Sequence, residues 1–588
     1  MENVPPGSLF RRAVEPRRRW GVALACGLSA VLLTVSFAPF DCWWAAYVAL
    51  VPWTLALGSK RWRWAPLWAT AAGALFWAGN LYWLWWITLV GYSAMVVYLT
   101  VYWLAAAAVV RAAYRRNWPM WLALPVIWTG LEYARAHIIS GFPWFFLAHS
   151  QYARTSLIQI TDVTGQYGVS FFVGMVNGAV VDLLTFPLLR RRGGGGAVRP
   201  SWHVLGGVAA SAAVGVGMVA YGTWRMGQAT TRPGPVVGIV QKAYPITLGR
   251  REFTDEDVLR SHLAASLAFL GAGCDLVIWP EAMLPDGLNE EFLGLDESLY
   301  SPDVQKAMAG LRGQARRVVR LSEQLGCPIL AGGVTLHRNV DRVEGEDLWV
   351  ERNSALWFDG LKPWSSEYYG KMHLVPFGEY VPFKRGWPAL HRWLRGFVPD
   401  VMSQLDPGPV AMVFRLGRSG GDWTLAAPIC YEGTFPDVCR RLVMRGGRKQ
   451  VDILANLSND GWFVWRWGEG PYRGSTEHVQ HLTAYCFRAV ECRTPVVRAV
   501  NTGISASIDS CGRIVALVGG KRRAMVEGTL LLDGSGRQGC GPKVLVDSRV
   551  TVYSRVGDVF ASAVALAGAG MVAGMLLGRR PGAGKDRP

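Results

Sequence analysis

The chain has 588 residues, 51% of them hydrophobic and 18% charged, which excludes a disordered or fibrous protein and leaves room for more than one domain. Its net charge of +18 invites a nucleic-acid reading. Many of the basic residues, however, form short clusters beside long apolar runs, and that arrangement belongs to membranes.

The basic start is not followed by one short apolar region and a small-residue cleavage site, so it does not read as a cleaved signal peptide. Seven apolar stretches come before residue 225, at 20–40, 43–57, 66–87, 94–111, 120–133, 169–188 and 204–221, and an eighth covers 559–577. A span needs about 20 apolar residues, and the second and fifth are short for that. Of the 28 tryptophans, 18 precede position 225, as suits rings that settle at bilayer interfaces. Eight spans would put every basic cluster on one side: Arg11, Arg12 and Arg17 to Arg19; Lys60, Arg61 and Arg63; Arg111, Arg115 and Arg116; Arg190 to Arg192 with Arg199; and Arg579, Arg580, Lys585 and Arg587. The positive-inside rule then places both termini in the cytoplasm and the region between the seventh and eighth spans outside. The expected organisation is a seven-span membrane domain over 1–224, an extracytoplasmic domain over 225–555, and a last span with a basic tail over 556–588. The four glycines at 193–196 lie in a basic loop without the Lys-Ser/Thr of a phosphate loop, and read as linker.

Residues 225–555 change character. Short β-branched runs (PVVGIVQ, CDLVIWPE, PILAGGVT, SALWFD, WTLAAPIC, DILANLSN, PVVRAVN, SASID and GTLLLD) alternate with helical periodicity near 254–270, 304–325, 435–445 and 477–493. This alternation predicts a layered α/β domain with helices packed on sheets. The stretches 284–302 and 382–407 are long for loops, a length typical of functional lids or of disordered segments.

Acyl or related chemistry needs a nucleophile, a base and a group to hold developing negative charge. WTLAAPIC predicts a strand ending at Cys430, with a turn and helix directly after it, which sets a thiol at the carboxyl edge of a sheet. CDLVIWPE delivers Glu281 in the same way, and YYGKMHLVPFGEYVPF carries Lys371, His373 and Glu379. Each also has a plainer reading: a buried thiol, a solvated strand end, an ordinary loop charge. His373 and Lys371 both remain open as the partner of the thiol. The nine histidines have no HxH or HExxH spacing and the ten cysteines no CxxC pairs, so neither a metal nor a cofactor is expected. Nucleic-acid binding has only the net charge behind it, and topology explains that charge.

The Glu of WPE, the Lys of YYGKMHLVPFGE and the Cys of ICYEG together resemble the carbon–nitrogen hydrolase (nitrilase) superfamily. HLVPFGEYVPF, ICYEGTFP, NLSNDGWF, NTGISASID, SGFPWFFLAHSQY and DVTGQYGVSF, in that setting, resemble the apolipoprotein N-acyltransferase family, and the resemblance covers nearly the whole chain. It implies an αββα sandwich between the seventh and eighth spans, in the inner membrane with the catalytic domain on the periplasmic side. It also implies Cys430 as nucleophile, Glu281 as general base and Lys371 as stabiliser of the oxyanion. Glu379 matches a second glutamate that orients the triad, and Tyr431 and Glu432 match further required positions. The implied reaction is the final step of bacterial lipoprotein maturation: a phospholipid donates an acyl chain to Cys430, and the amine of a diacylglyceryl-cysteine on an apolipoprotein accepts it. Near Arg250 the family's usual Trp is missing, and Cys511 and Cys540 have no assigned role. We expect a monomer.

Two rivals use other logic. A membrane-anchored amidase or nitrilase would use the same triad with water as second nucleophile, but seven spans are excessive for an anchor. A non-catalytic lipid-binding or transport protein would not need Glu281, Lys371 and Cys430 intact.

Overall fold

This computed structural model describes residues 19–59, 63–186, 189–191, 198–246, 252–339, 348–384, 386–399, 404–418, 421–520, 524–533 and 543–577. The chain divides into two compact units, one of residues 1–82, 92–227 and 558–588, the other of 83–91 and 228–557.

The first unit is helical, with helices over Arg19–Ser36, Val51–Gly58, Ala65–Asn80, Leu89–Arg115, Met120–His137, Gln166–Thr185, Trp202–Met226 and Val559–Leu577. Four of these are long and apolar enough to cross a membrane: Leu89–Arg115, Gln166–Thr185, Trp202–Met226 and Val559–Leu577. Among the described residues, four of the eight expected spans thus meet the criteria of length and apolarity. The others depart for local reasons. The stretch predicted over 43–57 is a 3-10 turn, Trp43–Tyr47, and then a helix of 8 residues restarting at Val51. Pro52 sits in that helix's first turn, where a missing N–H costs nothing. Ala65–Asn80 stops early and a second 3-10 turn, Tyr82–Trp86, follows it. Met120–His137 carries buried Glu132 and Arg135.

Broken backbone in an apolar setting must find partners for its polar groups. Asn177 supplies them for the interrupted segment: its Oδ1 accepts from Leu50 N (2.8 Å) and its Nδ2 donates to Ala46 O (2.8 Å). The SGFPWFFLAHSQY segment is likewise mostly non-helical. There Glu132 accepts from Leu147 N (2.8 Å), and Arg135 donates to the carbonyls of Phe142 and Trp144 while its guanidinium lies over the rings of Trp77 and Phe146. A motif visible in sequence therefore has a structural reason.

The second unit contains two six-stranded sheets. In chain order the strands are β1 Val236–Gln241, β2 Leu276–Ile278, β3 Ile329–Arg338, β4 Trp349–Phe358, β5 Glu367–Gly370, β6 Phe414–Arg418, β7 Gly421–Ala426, β8 Ile453–Ser458, β9 Val496–Val500, β10 Ala506–Ile508, β11 Ile514–Leu517 and β12 Gly528–Asp533. The first sheet runs β12-β1-β2-β3-β4-β5 and the second β11-β10-β9-β8-β7-β6. Each has a parallel three-stranded centre, β1-β2-β3 or β7-β8-β9, flanked by antiparallel strands. Parallel central strands are buried on both faces, which is why β1, β2, β8 and β9 are buried throughout.

Helices Asp255–Ser266 and Pro302–Leu325 pack on the first sheet, where Leu259, Ala315 and Val318 join Val236, Val277 and Ile329 in one core. Pro436–Val443 and Glu477–Cys492 pack with the second. The order is the expected αββα. All nine predicted strand runs contain a strand, but WTLAAPIC needs correction: its strand ends at Ala426, and Ile429 makes only an isolated bridge to Leu457 before Cys430 opens a 3-10 turn. The long stretches hold short helices of their own, Glu290–Leu293 and Pro388–Arg395.

Close helix contact in the first unit depends on Gly178. A Cβ there would stand 2.1 Å from the backbone oxygen of Met120, so Gly178→Ala must push two helices apart. Overpacking of this kind costs about 1–3 kcal/mol, and the variant should melt several degrees lower in detergent; an unchanged melting temperature would contradict the packing.

Candidate active site

Four strand ends of the second unit bring the candidate side chains together. Glu281 lies just beyond β2, Lys371 directly after β5, Cys430 beyond β7, and Asn459 directly after β8. All are carboxyl ends, where α/β sheets open their ligand crevices.

Glu281 is placed by a turn packed onto β3. Gly332 N donates to Pro280 O (3.0 Å), and Met283 N and Leu284 N donate to Gly332 O (2.9 and 3.0 Å). Only glycine fits at 332, since a Cβ would lie 2.4 Å from the Glu281 Cα. The buried carboxylate is fully engaged. Oε1 accepts from Asn353 Nδ2 (2.7 Å) and faces Lys371 Nζ at 3.4 Å; Oε2 accepts from Asn459 N (2.8 Å); and the Cys430 thiol hydrogen-bonds to the same carboxylate.

Lys371 is buried, with its Nζ 2.9 Å from Glu379 Oε1. Asn353 Nδ2 reaches Glu379 Oε1 as well (2.7 Å), so one amide nitrogen spans the two glutamates. The β4/β5 register pairs Ser354 with Gly370, which puts Asn353 beside Lys371, and Lys371 N donates to Asn353 O (2.8 Å). Glu379 is held in turn by Val375 N (2.8 Å).

Cys430 is half-buried and has φ +49°, a left-handed conformation that costs a non-glycine residue about 1–3 kcal/mol. Two contacts hold it there. Tyr485 Oη donates to Cys430 O (2.7 Å), and Gly433 leaves space for that ring, which a Cβ would meet at 2.1 Å. Glu432, fully buried, ties this turn to the lysine loop: its carboxylate accepts from Ile429 N (2.8 Å), Met372 N (2.7 Å), His373 N (3.0 Å) and Tyr369 Oη (2.9 Å). Tyr431 packs edge-on against Phe435. The imidazole of His373 also packs on Phe435, with centroids 4.0 Å apart, and its part in the site is the backbone N–H given to Glu432. Of the two residues left open, Lys371 is the one whose side chain reaches Glu281 and Glu379.

Electrostatics follow from burial. Desolvation pushes the Cys430 thiol well above its ordinary range and the negative charge of Glu281 adds to this, while the Lys371 ammonium pulls it down. Burial likewise raises the Glu281 carboxyl, with Lys371 opposing. For Lys371, burial works against the charge, but Glu379 and Glu281 outweigh it and hold the ammonium above its usual value. The arrangement suits a proton moving from sulfur to Glu281 beside a permanent positive charge.

Several participants escaped sequence reasoning: Asn353, Ser458, Asn459, Tyr485, and a buried network of Asp460, Glu477, His481 and Arg498. Arg498 Nη2 donates to Asp460 Oδ2 (2.8 Å) and Arg498 Nη1 to Asn456 Oδ1 (2.7 Å), while His481 Nδ1 lies 3.2 Å from Asp460 Oδ1 and 3.3 Å from Glu477 Oε1. Asp460, Glu477 and His481 bring donor atoms within 4.8 Å of one another. Arg498 already supplies the positive charge that a metal would bring. The only hint in the sequence was the NLSNDGWF motif. Arg250 and Cys540 lie outside the described residues; Cys511 is half-buried and accepts from Arg493 Nη1 at 3.8 Å.

A glutamate, a lysine and a cysteine at sheet ends are the constellation of the carbon–nitrogen hydrolases, and residues 236–534 match the carbon–nitrogen hydrolase family model. Among solved structures, XC1258 from Xanthomonas campestris, a CN-hydrolase superfamily protein with an arsenic adduct in the active site, is 19% identical, covers 60% of this chain and 99% of its own, and has a TM-score of 0.31. The first unit narrows the class, since residues 29–179 match the apolipoprotein N-acyltransferase N-terminal domain. The chain is 31% identical to an apolipoprotein N-acyltransferase of Geobacter metallireducens over 579 residues, 96% of each chain. It is 27% identical to that of Rhodopirellula baltica, over 92% of this chain and 94% of the relative. The chain belongs to the apolipoprotein N-acyltransferase family.

Asp460 allows a direct test of the buried network. Burial disfavours its charge, but Arg498 and His481 hold its carboxyl well below the usual carboxylate range. A depressed folded value gives stability that is present above the unfolded value of about 3.9 and is lost as pH falls through the folded one. Asp460→Asn leaves Arg498 without its anion and should cost about 3–5 kcal/mol. Melting curves from pH 2 to 7 should show this loss together with a weaker acid dependence, and equal melting of variant and wild type would refute the network.

Proposed function

We propose that this protein is the acyltransferase that completes lipoprotein maturation, moving a fatty acyl chain from a phospholipid to the N-terminal amine of a diacylglyceryl-cysteine on an apolipoprotein. Cys430 is the nucleophile, Glu281 the general base and Lys371 the stabiliser of the oxyanion. Glu379 and Glu432 position them, and Tyr431 packs beside the nucleophile's turn. The observation that carries this reading is a half-buried thiol hydrogen-bonded to a buried carboxylate that also faces a buried ammonium, in a chain that aligns end to end with named N-acyltransferases.

In the first half-reaction, the Cys430 proton passes to Glu281 and sulfur bonds to the ester carbonyl carbon. Lys371 balances the oxyanion. As the C–O bond breaks, Glu281 returns the proton to the departing alcohol oxygen, and lysophospholipid leaves. In the second, the acceptor amine attacks the thioester and gives a proton to Glu281; the C–S bond then breaks and sulfur recovers the proton. Ester becomes thioester and then amide, with no cofactor in the balance.

Both substrates are lipid-anchored, so the reading places residues 225–555 on the periplasmic side of the inner membrane and both termini in the cytoplasm. Residues 1–224 form the membrane domain and 556–588 the last helix and tail, with eight membrane segments, four of them shorter or interrupted. An even number keeps the basic clusters on one side. Exposed rings support work at a lipid surface: Trp387 (61% exposed), Trp393 (62%) and Trp467 (79%), the first two beside or within the short helix Pro388–Arg395 with its Arg392 and Arg395. One chain carries the complete triad, so a monomer suffices.

Incubating the purified protein with bacterial phospholipids, without acceptor, should add one fatty acyl group to Cys430, visible by mass spectrometry and removed by hydroxylamine. Glu281→Gln should slow this step by about 10²- to 10⁴-fold. A wild-type thiol that stays unmodified would overturn the assignment.

A further inference from the structure

The turn that closes β8 touches the nucleophile as well as its base. The isolated parallel bridge between Ile429 and Leu457 brings the next residues of the two segments, Cys430 and Ser458, side by side. The Ser458 side chain lowers the affinity of the Cys430 sulfur for its proton while Asp460 raises it, and the Ser458 oxygen lies 2.7 Å from Asp460 Oδ1, to which it donates. Ser458 and Asp460 are both fully buried.

A hydroxyl has one proton and two lone pairs. With its proton on Asp460, Ser458 meets the sulfur through a lone pair. That suits a neutral thiol, whose S–H a lone pair accepts, and opposes a thiolate, which would then face a lone pair with Asp460 behind it. Rotation about the Cβ–Oγ bond reverses the situation by turning O–H toward sulfur. Asp460 tolerates the change, because Arg498 Nη2 still donates to its Oδ2 (2.8 Å) and His481 Nδ1 stays 3.2 Å from Oδ1.

We propose that Ser458 is a further catalytic residue, a hydroxyl that turns from Asp460 to the sulfur of Cys430 each time the thiolate forms. This rests on the acyl-transfer reading, in which a thiolate arises twice: when Glu281 takes the thiol proton, and when the acceptor amine expels sulfur from the thioester. No proton is exchanged through Ser458. It reorients a hydrogen bond while Glu281 carries the proton and Lys371 faces the oxyanion. The charged groups around the sulfur are Glu281 after β2, Lys371 after β5 and Asp460 after β8, with Glu379, Arg498 and His481 behind them. Ser458 is the neutral member of this ring, so its effect is separable from that of the charges.

The test is the pH dependence of Cys430 alkylation by iodoacetamide in the full-length protein, followed on the Cys430 peptide by mass spectrometry. Ser458→Ala should move the midpoint upward by about one pH unit, hence roughly tenfold slower alkylation at neutral pH, while the high-pH plateau keeps its wild-type rate. An unchanged midpoint, or a lowered plateau without a shift, would overturn the role, the latter because it reports a displaced sulfur. Alkylation needs no lipid, so it is independent of the acyl-adduct experiment: failure to form the adduct would sink the acyl-transfer reading and leave the alkylation result standing.

Discussion

The site depends on one buried ammonium. Lys371 has almost no solvent contact, and an isolated ammonium in that position would carry a desolvation cost of several kcal/mol. Two carboxylates, Glu379 at 2.9 Å and Glu281 at 3.4 Å, offset that cost, and they are kept from repelling each other by sharing the Asn353 amide as well as the lysine. A second consequence follows for Glu281. A lone buried glutamate would become neutral, and a glutamate paired closely with one lysine would be a poor base. Burial raises the affinity of Glu281 for a proton, Lys371 opposes that rise and Glu379 adds to it, so the carboxylate is a stronger base than a lysine partner alone would leave it.

Around this centre the protein uses two brackets. Glu432 gathers backbone N–H groups from the turn before Cys430 and from the loop after Lys371, together with the Tyr369 hydroxyl from β5, which fixes the distance between sulfur and ammonium. Arg498 makes the other bracket from below. It binds Asp460 and Asn456 on β8 and its loop, and its guanidinium lies over the ring of Tyr485, whose hydroxyl holds the Cys430 carbonyl. Strain at φ +49° persists because both sides of the turn are held. Substitution at Glu432 or Arg498 would therefore act through geometry, and neither residue touches the sulfur.

Cys430, Glu281, Lys371 and Glu379 stood out in the sequence because each sits at the end of an apolar run or inside a distinctive loop, while Tyr431 and Glu432 were marked only by the resemblance to family motifs. Asn353 was not, since ERNSALW reads as an ordinary strand; its meaning comes from the register that pairs Ser354 with Gly370, a long-range fact. Asp460, His481 and Arg498 lie on three separate elements, and nothing local says that they face one another. In the first unit hydropathy measured how apolar a stretch is, and it could not register whether the helix is continuous. The break near Leu50 is satisfied by Asn177, more than a hundred residues away, so no window around residue 50 contains its cause.

Whether such a site transfers or hydrolyses is not decided by the triad alone. A carboxylate offers about four lone-pair positions, and Glu281 uses them on Asn353, Lys371, Asn459 N and the thiol. Once sulfur is acylated the fourth position is vacated, and a water or an amine would be activated there equally well. Selection between the two must come from what reaches the half-buried sulfur. In the acyl-transfer reading, the acyl chain carried on sulfur stays at a lipid surface, which keeps bulk water from the thioester while admitting a second lipid-bearing molecule. On that reading, a wetter environment around Cys430 would favour water as the second nucleophile at the same glutamate, lysine and cysteine.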